Sequence, residues 1–245
     1  MKTLIACSTA LWMFSTGVDA MGQTTATQTN GNVSTPTRAW NPSEHFRLRC
    51  EQIENAIERA PSDTTCCIVL LGDSITEGIK TNELAGMSVI NQGISGDQVE
   101  NATSRTGVRN RLHLVPKAKP AIVCVMIGIN DFWGGKKDAA TVEQSYRGMA
   151  TDLRATVPKA RIIIESTLPA GGPHKHLQQS VDELNRKLPQ IASTIKAEFL
   201  LLDPIMKSSD GELRPEFTTD GIHLSPAGYA AWLKRLEQYI GTKPQ

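Results

Sequence analysis

Apolar and polar positions follow two rhythms along this chain. From Cys67 to Leu71 five successive apolar residues, CIVLL, run into Gly72, a run short enough for a strand buried on both faces. Comparable runs predict strands at 66–71, 87–91, 121–127, 161–165 and 199–202. Between them the apolar positions recur at three- and four-residue spacing, predicting helices near 97–115, 141–156, 178–196 and 226–240. An earlier helix over 42–60 carries Phe46, Leu48, Ile53 and Ile57 and stops before Pro61. Strand and helix alternate throughout, so the chain reads as an α/β fold. The expected architecture is a mostly parallel five-stranded sheet, covered on both faces, around one core.

The ends of the chain change this picture. Residues 1–20 hold one lysine, an apolar run, and Val18 and Ala20 at the spacing a signal peptidase reads, so they are expected to be a cleaved leader. Residues 21–41, rich in Thr, Gln, Asn and Gly, offer few apolar anchors and read as a disordered or extended spacer. A single domain is then expected over 42–245, secreted or periplasmic, without stable membrane insertion. A net charge of +1 and a pI near 7.7 give no basis for a nucleic-acid partner. Arg105, Arg109 and Arg111 read as the solvated face of a helix. Of the five cysteines, Cys7 would leave with the leader and Cys124 reads as a small core residue. Cys50 could bridge to Cys66 or Cys67 in an oxidising compartment. The chain contains no CxxC pair, so neither a zinc site nor a thioredoxin-like redox site is expected.

Polar residues gather where strands end: GDSIT, NQGISGD, GINDF, and TTDGIHLSP before the last helix. In a parallel sheet such ends converge on one crevice. Gly-Asp-Ser alone reads as a turn whose side chains tie down their own backbone. Ser74 becomes a nucleophile only if a base takes its proton. Among the five histidines, His223 follows Asp220 by three residues, and Ser225 with Pro226 starts the terminal helix directly after it. Asp220 can hold one ring nitrogen while the other faces the serine. Gly96 offers a backbone N–H and Asn130 a carboxamide to a developing oxyanion, each such donor being worth about 3 kcal/mol when well placed. His174 and His176 read as solvated.

The four blocks resemble those of the SGNH or GDSL hydrolase family, over about residues 64–241. That resemblance implies a flavodoxin-like three-layer α/β/α sandwich. It also implies Ser74 as nucleophile, His223 as base, Asp220 as acid, Gly96 and Asn130 as oxyanion donors, and Asn91 as organiser of the second block. Ile75 stands where leucine is commoner, a packing position. Asp73 is expected to anchor the nucleophile loop by hydrogen bonds. The implied activity is ester hydrolysis by an acyl-enzyme, with no cofactor.

The acyl group is expected to be short, because the loops are short and DFWGGKKDAAT turns polar after Phe132 and Trp133. A carbohydrate O-acetyl ester is the leading substrate, with a lysophospholipase or broad-specificity acylhydrolase as the alternative. The partner is a small-molecule or glycan ester, and the sequence leaves oligomeric state open. Two other classes remain: a metal-dependent phosphoesterase using Asp73, Asp97, Asn130 and His223, and a carbohydrate-binding protein without turnover.

Overall fold

The computed structural model describes residues 41–60, 67–135 and 137–242. The leader predicted over 1–20 and the spacer predicted over 21–41 lie outside these residues, except for Asn41. Asn41 caps helix α1 (Pro42–Arg59), its side-chain oxygen accepting from the N–H of Ser43 and Glu44. Pro42 opens the helix, where the missing N–H costs nothing.

The chain continues through β1 (Cys67–Gly72), α2 (Ser74–Glu77), β2 (Glu83–Leu84), β3 (Met87–Gly93), β4 (Ile122–Met126), α3 (Ala139–Thr156) and β5 (Arg161–Glu165). It ends with α4 (Gln178–Asn185), α5 (Leu188–Thr194), β6 (Glu198–Leu200), α6 (Asp203–Met206) and α7 (Pro226–Gly241). The strands form one sheet in the order β2-β3-β1-β4-β5-β6, parallel except for β2. This is the α/β architecture expected, a mostly parallel sheet flanked by helices, with a sixth strand added at one edge. That strand escapes sequence reading because it is two residues long. It pairs with β3 across Ala85 and Gly86, whose φ values of 51° and 72° give the two left-handed positions a tight hairpin turn needs.

All six residues of β1 are buried, as its central place in the sheet requires. The winding reverses there: the chain passes from β1 to β3 on one side and then to β4 on the other. Such a reversal opens a crevice at the carboxyl ends of the strands. The register lines those ends up, with Gly72 of β1 opposite both Gly93 of β3 and Met126 of β4. The loops that follow the three strands therefore leave from a common edge.

Two predicted helices differ. No α-helix forms over 97–115; the segment is a loop with an Asn101–Thr106 bridge, followed by 3-10 turns at Arg109–Leu114 and Pro116–Ala118. Its backbone donors find other acceptors, since the Val99 N–H bonds the Asp131 carboxylate and the Ser104 N–H bonds the Asn101 side chain. The helix predicted over 178–196 splits into α4 and α5, because Pro189 is accommodated in the first turn of a new helix and not in the interior of a continuous one. Cys50 is a free thiol, so it makes neither of the bridges the sequence left possible. Cys67 instead donates its thiol to the Ala118 carbonyl at 3.1 Å, and Cys66 lies outside the described residues. Cys124 is buried, as expected of a core residue.

Candidate active site

Ser74 is the first residue of α2, immediately beyond β1. Asp73 caps that short helix: its Oδ1 accepts from the Ile75 N–H at 3.0 Å. From the other side Tyr229 of α7 donates to the Ile75 carbonyl at 3.0 Å, so two elements fix the turn that presents Ser74. The Asn91 carboxamide spans the turn's far end, donating to the carbonyls of Thr76 at 2.8 Å and Ile79 at 3.1 Å.

His223 arrives on the loop before α7. Thr218 Oγ1 donates to the His223 carbonyl and accepts from the Gly221 N–H, both at 2.8 Å, and Ser225 caps α7. Asp220 Oδ1 accepts from the backbone N–H groups of Ile222 at 2.9 Å and His223 at 2.8 Å. Its Oδ2 lies 2.7 Å from His223 Nδ1, and His223 Nε2 lies 3.0 Å from Ser74 Oγ. A carboxylate beside Nδ1 makes that nitrogen the donor, which leaves Nε2 to accept from the serine hydroxyl. Burial alone would raise the Asp220 pKa, but the His223 ring and the two backbone N–H groups outweigh it and bring it down to about 2. Asp220 is thus a fixed anion at neutral pH.

Gly96 and Asn130 come from the loops after β3 and β4. Asn130 Nδ2 gives one hydrogen to the Asp97 carbonyl at 2.9 Å, and an amide nitrogen carries two. Ser74, Gly96, Asn130, Asp220 and His223 all line one cleft of about 1180 Å³. The structure thus brings the five predicted catalytic residues together in one cleft.

Beneath the cleft lies a polar layer that sequence reading missed. Arg111, expected on a solvated face, is only 1% exposed. Its Nε bonds Asp97 Oδ2 at 2.8 Å and its Nη2 bonds the Gly72 carbonyl at 2.9 Å, tying the end of β1 to the residue after Gly96. Burial raises the Asp97 pKa to about 6 despite Arg111, and burial raises Asp73 to about 7 despite the Ile75 N–H. On the other flank of Gly96, Ser95 donates its N–H and its hydroxyl to Glu77. Glu77 is in turn met by His45 Nε2 at 3.2 Å and Arg49 Nε at 3.7 Å from α1. His45 therefore belongs to the folded body, although its position in sequence places it before the core. Arg109 pairs with Glu100 and Asp152. His174, expected to be solvated, lines the cleft, while His176 is exposed. Nothing local in the sequence marks Arg111 or Glu77, because their partners lie 14 and 18 residues away.

A serine, histidine and aspartate aligned at the switch point of a parallel sheet belong to the hydrolase class that attacks esters. Residues 70–231 match the GDSL-like lipase/acylhydrolase family, and the chain belongs to that family. It is a carboxylic ester hydrolase. Among curated proteins, the platelet-activating factor acetylhydrolase IB subunit alpha1 of Pongo abelii is 28% identical over 181 residues, 71% of this chain and 74% of that protein. A GDSL-like lipase from Bacteroides thetaiotaomicron superposes with a TM-score of 0.64 at 26% identity, covering 82% of this chain and 98% of that one. A variant of a Geobacillus acetyl-xylooligosaccharide esterase shares the fold, with a TM-score of 0.55 at 21% identity over 72% of this chain and 94% of that one. No helix among the described residues is long and apolar enough to cross a membrane.

Proposed function

We propose that the enzyme cleaves esters of short acyl groups, acetyl foremost, through an acyl-enzyme on Ser74. The observation that carries this reading is the unbroken hydrogen-bonded line from Ser74 through His223 to Asp220. His223 Nε2 takes the hydroxyl proton as Ser74 Oγ bonds to the ester carbonyl carbon, and Asp220 balances the imidazolium that forms. Charge collecting on the carbonyl oxygen is met by the backbone N–H groups of Ser74 and Gly96 and by the second amide hydrogen of Asn130. The alcohol leaves with the proton from His223. A water then gives one proton to His223 and its hydroxide to the acyl carbon, and His223 passes that proton to Ser74 Oγ as the Oγ–acyl bond breaks, releasing the carboxylic acid and free Ser74. These steps use side chains, backbone and water alone.

A short acyl group is supported by the likeness to a relative named an acetylhydrolase. On the alcohol side that likeness favours a lipid-type ester, the lysophospholipase or broad acylhydrolase alternative, over a carbohydrate ester. The acetylated carbohydrate stands as the second reading, favoured by the hydroxyl- and carboxamide-bearing wall of the cleft.

The test is the rate on p-nitrophenyl esters from acetate to palmitate, with Ser74→Ala in parallel. The expected result is fastest turnover of acetate, a steep fall with chain length, and no turnover by Ser74→Ala above buffer. A maximum at long chains would overturn the short-acyl reading. Full activity in Ser74→Ala would overturn the mechanism.

A further inference from the structure

Helix α2 is a single turn, with Ser74 as its first residue and Glu77 as its last. The Glu77 carboxylate fastens the loop after β3 to that turn. Its Oε2 accepts from the Ser95 N–H at 2.5 Å and from the Ser95 hydroxyl at 2.6 Å. Hydrogen bonds to an ionised acceptor are shorter and roughly twice as strong as neutral ones. Burial would raise the Glu77 pKa, but the Ser95 hydroxyl, His45 and the Ser95 N–H outweigh it and hold it below its ordinary value. Glu77 is therefore an anion at neutral pH. Its footing is stiff: a Cβ added to Gly93 would lie 2.1 Å from the Glu77 nitrogen, so the end of β3 meets α2 with no side chain between the backbones. Asn91 spans the same contact, donating to the Thr76 carbonyl and accepting from the Gly93 N–H, both at 2.8 Å.

Ser95 and Gly96 are the central residues of a turn closed by the Asp97 N–H on the Ile94 carbonyl at 3.0 Å. Gly96 has a φ of 78° whereas Ser95 has a negative φ, the combination of a type II turn, which calls for glycine at its third position. In such a turn the N–H groups of the two central residues point different ways. The Ser95 N–H runs back to Glu77. The Gly96 N–H makes no hydrogen bond among the described residues and is left for the cleft that Gly96 lines. One amide anchors the turn, and the other is free to meet a substrate.

We propose that Glu77 is a positioning residue for ester hydrolysis: through Ser95 it fixes the Gly96 N–H at the oxyanion, at a spacing from the nucleophile set by the one turn of α2. The proposal rests on the acyl-enzyme reading above and deepens its oxyanion site. Glu77 does not line the cleft, so it acts on the reacting atoms only through the turn it holds. A donor already in place needs no reorientation as charge develops, so losing the clamp slows the chemical step and leaves ester binding nearly untouched. Because the clamp is a pair of hydrogen bonds to Ser95, the reach of the acceptor matters more than its charge.

The experiment measures kcat and KM for p-nitrophenyl acetate, and affinity for phenylboronic acid, in wild type, Glu77→Ala, Glu77→Gln and Glu77→Asp. Ser74 Oγ bonds to the boron as His223 takes the hydroxyl proton, and the tetrahedral adduct places a boron-bound oxygen at the oxyanion position. Glu77→Ala should lower kcat about 10–100-fold with KM within about twofold, short of outright loss of a donor, and should weaken the boronate by a similar factor. Glu77→Gln keeps the reach and an acceptor oxygen and should stay within about threefold of wild type, whereas Glu77→Asp keeps the charge one methylene short and should fall toward Glu77→Ala. The pH midpoint of kcat should stay put in all three, because His223 keeps Asp220. Ser95→Ala removes only the hydroxyl donor and covers the case in which Glu77→Ala does not fold; it should lose about threefold in kcat and in boronate affinity alike. A folded Glu77→Ala or a Ser95→Ala with wild-type kcat, a loss carried by KM with boronate affinity unchanged, or Glu77→Asp more active than Glu77→Gln would overturn the proposal. If wild type hydrolysed no ester, the acyl-enzyme reading would fall by itself, and NMR would decide the clamp. The cross-peak between Ser95 Hα and the Gly96 N–H, which marks the type II turn, should be strong in wild type and weak in Glu77→Ala and Glu77→Asp, and an unchanged cross-peak would overturn it.

Discussion

Arg111→Met is the perturbation whose outcome the structure specifies most fully. The guanidinium is buried, bonded to Asp97 and to the Gly72 carbonyl, and removing it strands a carboxylate that is 3% exposed by residue. Breaking a buried pair from one side costs about 3–5 kcal/mol. The Gly72 carbonyl adds little, because it keeps the Ile94 N–H at 3.1 Å. For a domain of this size each kcal/mol lowers Tm by about 2–4 °C, so Arg111→Met should melt roughly 6–20 °C below wild type. The pair itself is imperfect: Arg111 Nη1 and Asp97 Oδ1 are buried without a hydrogen-bond partner. Replacing both ends with apolar side chains should therefore recover most of the loss, so Arg111→Met/Asp97→Leu is expected to be more stable than Arg111→Met alone. Turnover of p-nitrophenyl acetate should stay depressed in the double variant, because the tie between β1 and the loop carrying Gly96 is gone. Urea denaturation followed by circular dichroism gives the stabilities. A single variant within 1 kcal/mol of wild type, or a double variant less stable than the single, would refute the reasoning.

Two further outcomes follow from the site. Burial holds the Asp73 pKa at about 7, above its ordinary value, so the folded state binds that proton more tightly than the unfolded chain and loses stability as pH rises from about 4 through 7. Asp73→Asn keeps an oxygen for the Ile75 N–H and removes the buried charge. It should match wild type below about pH 4 and exceed it by a few kcal/mol, on the order of the shift, above pH 7. A difference independent of pH in urea titrations would contradict this. Asn130→Ala should lower kcat about 10²–10³-fold with a smaller change in KM, and a loss under threefold in a folded variant would remove Asn130 from the oxyanion site.

The strands and the reacting residues were legible because both are written locally. An apolar run ending in Gly72, and an aspartate three residues before His223 with a helix cap behind it, need no distant information. The loop over 97–106 was not legible, since its amides are satisfied by Asp131 and by its own polar side chains instead of by helix bonds. Arg111 looked solvated because a charged side chain is buried only when a partner is buried with it, and Asp97 meets it through tertiary folding. His174 reaches the cleft because the loop after β5 folds back toward Trp133, a path set by neither segment alone. The sequence did place an aromatic pair at 132–133, but only the fold separates the core ring from the exposed one.

Helix α1 precedes the family match at residue 70, yet it is bound to the site. Arg49 donates to the carbonyls of Gly93 at 3.0 Å and Asn91 at 3.1 Å, and with His45 it steadies the Glu77 carboxylate that holds Ser95 beside Gly96. Most of a helix's stability in a protein comes from tertiary packing, so α1 and the loop depend on this docking together. Coupling of that kind is reciprocal. Whatever free energy α1 lends to the loop that cradles the oxyanion, an acyl group seated in that loop returns to α1, and the N-terminal helix becomes a reporter of whether the cleft is filled.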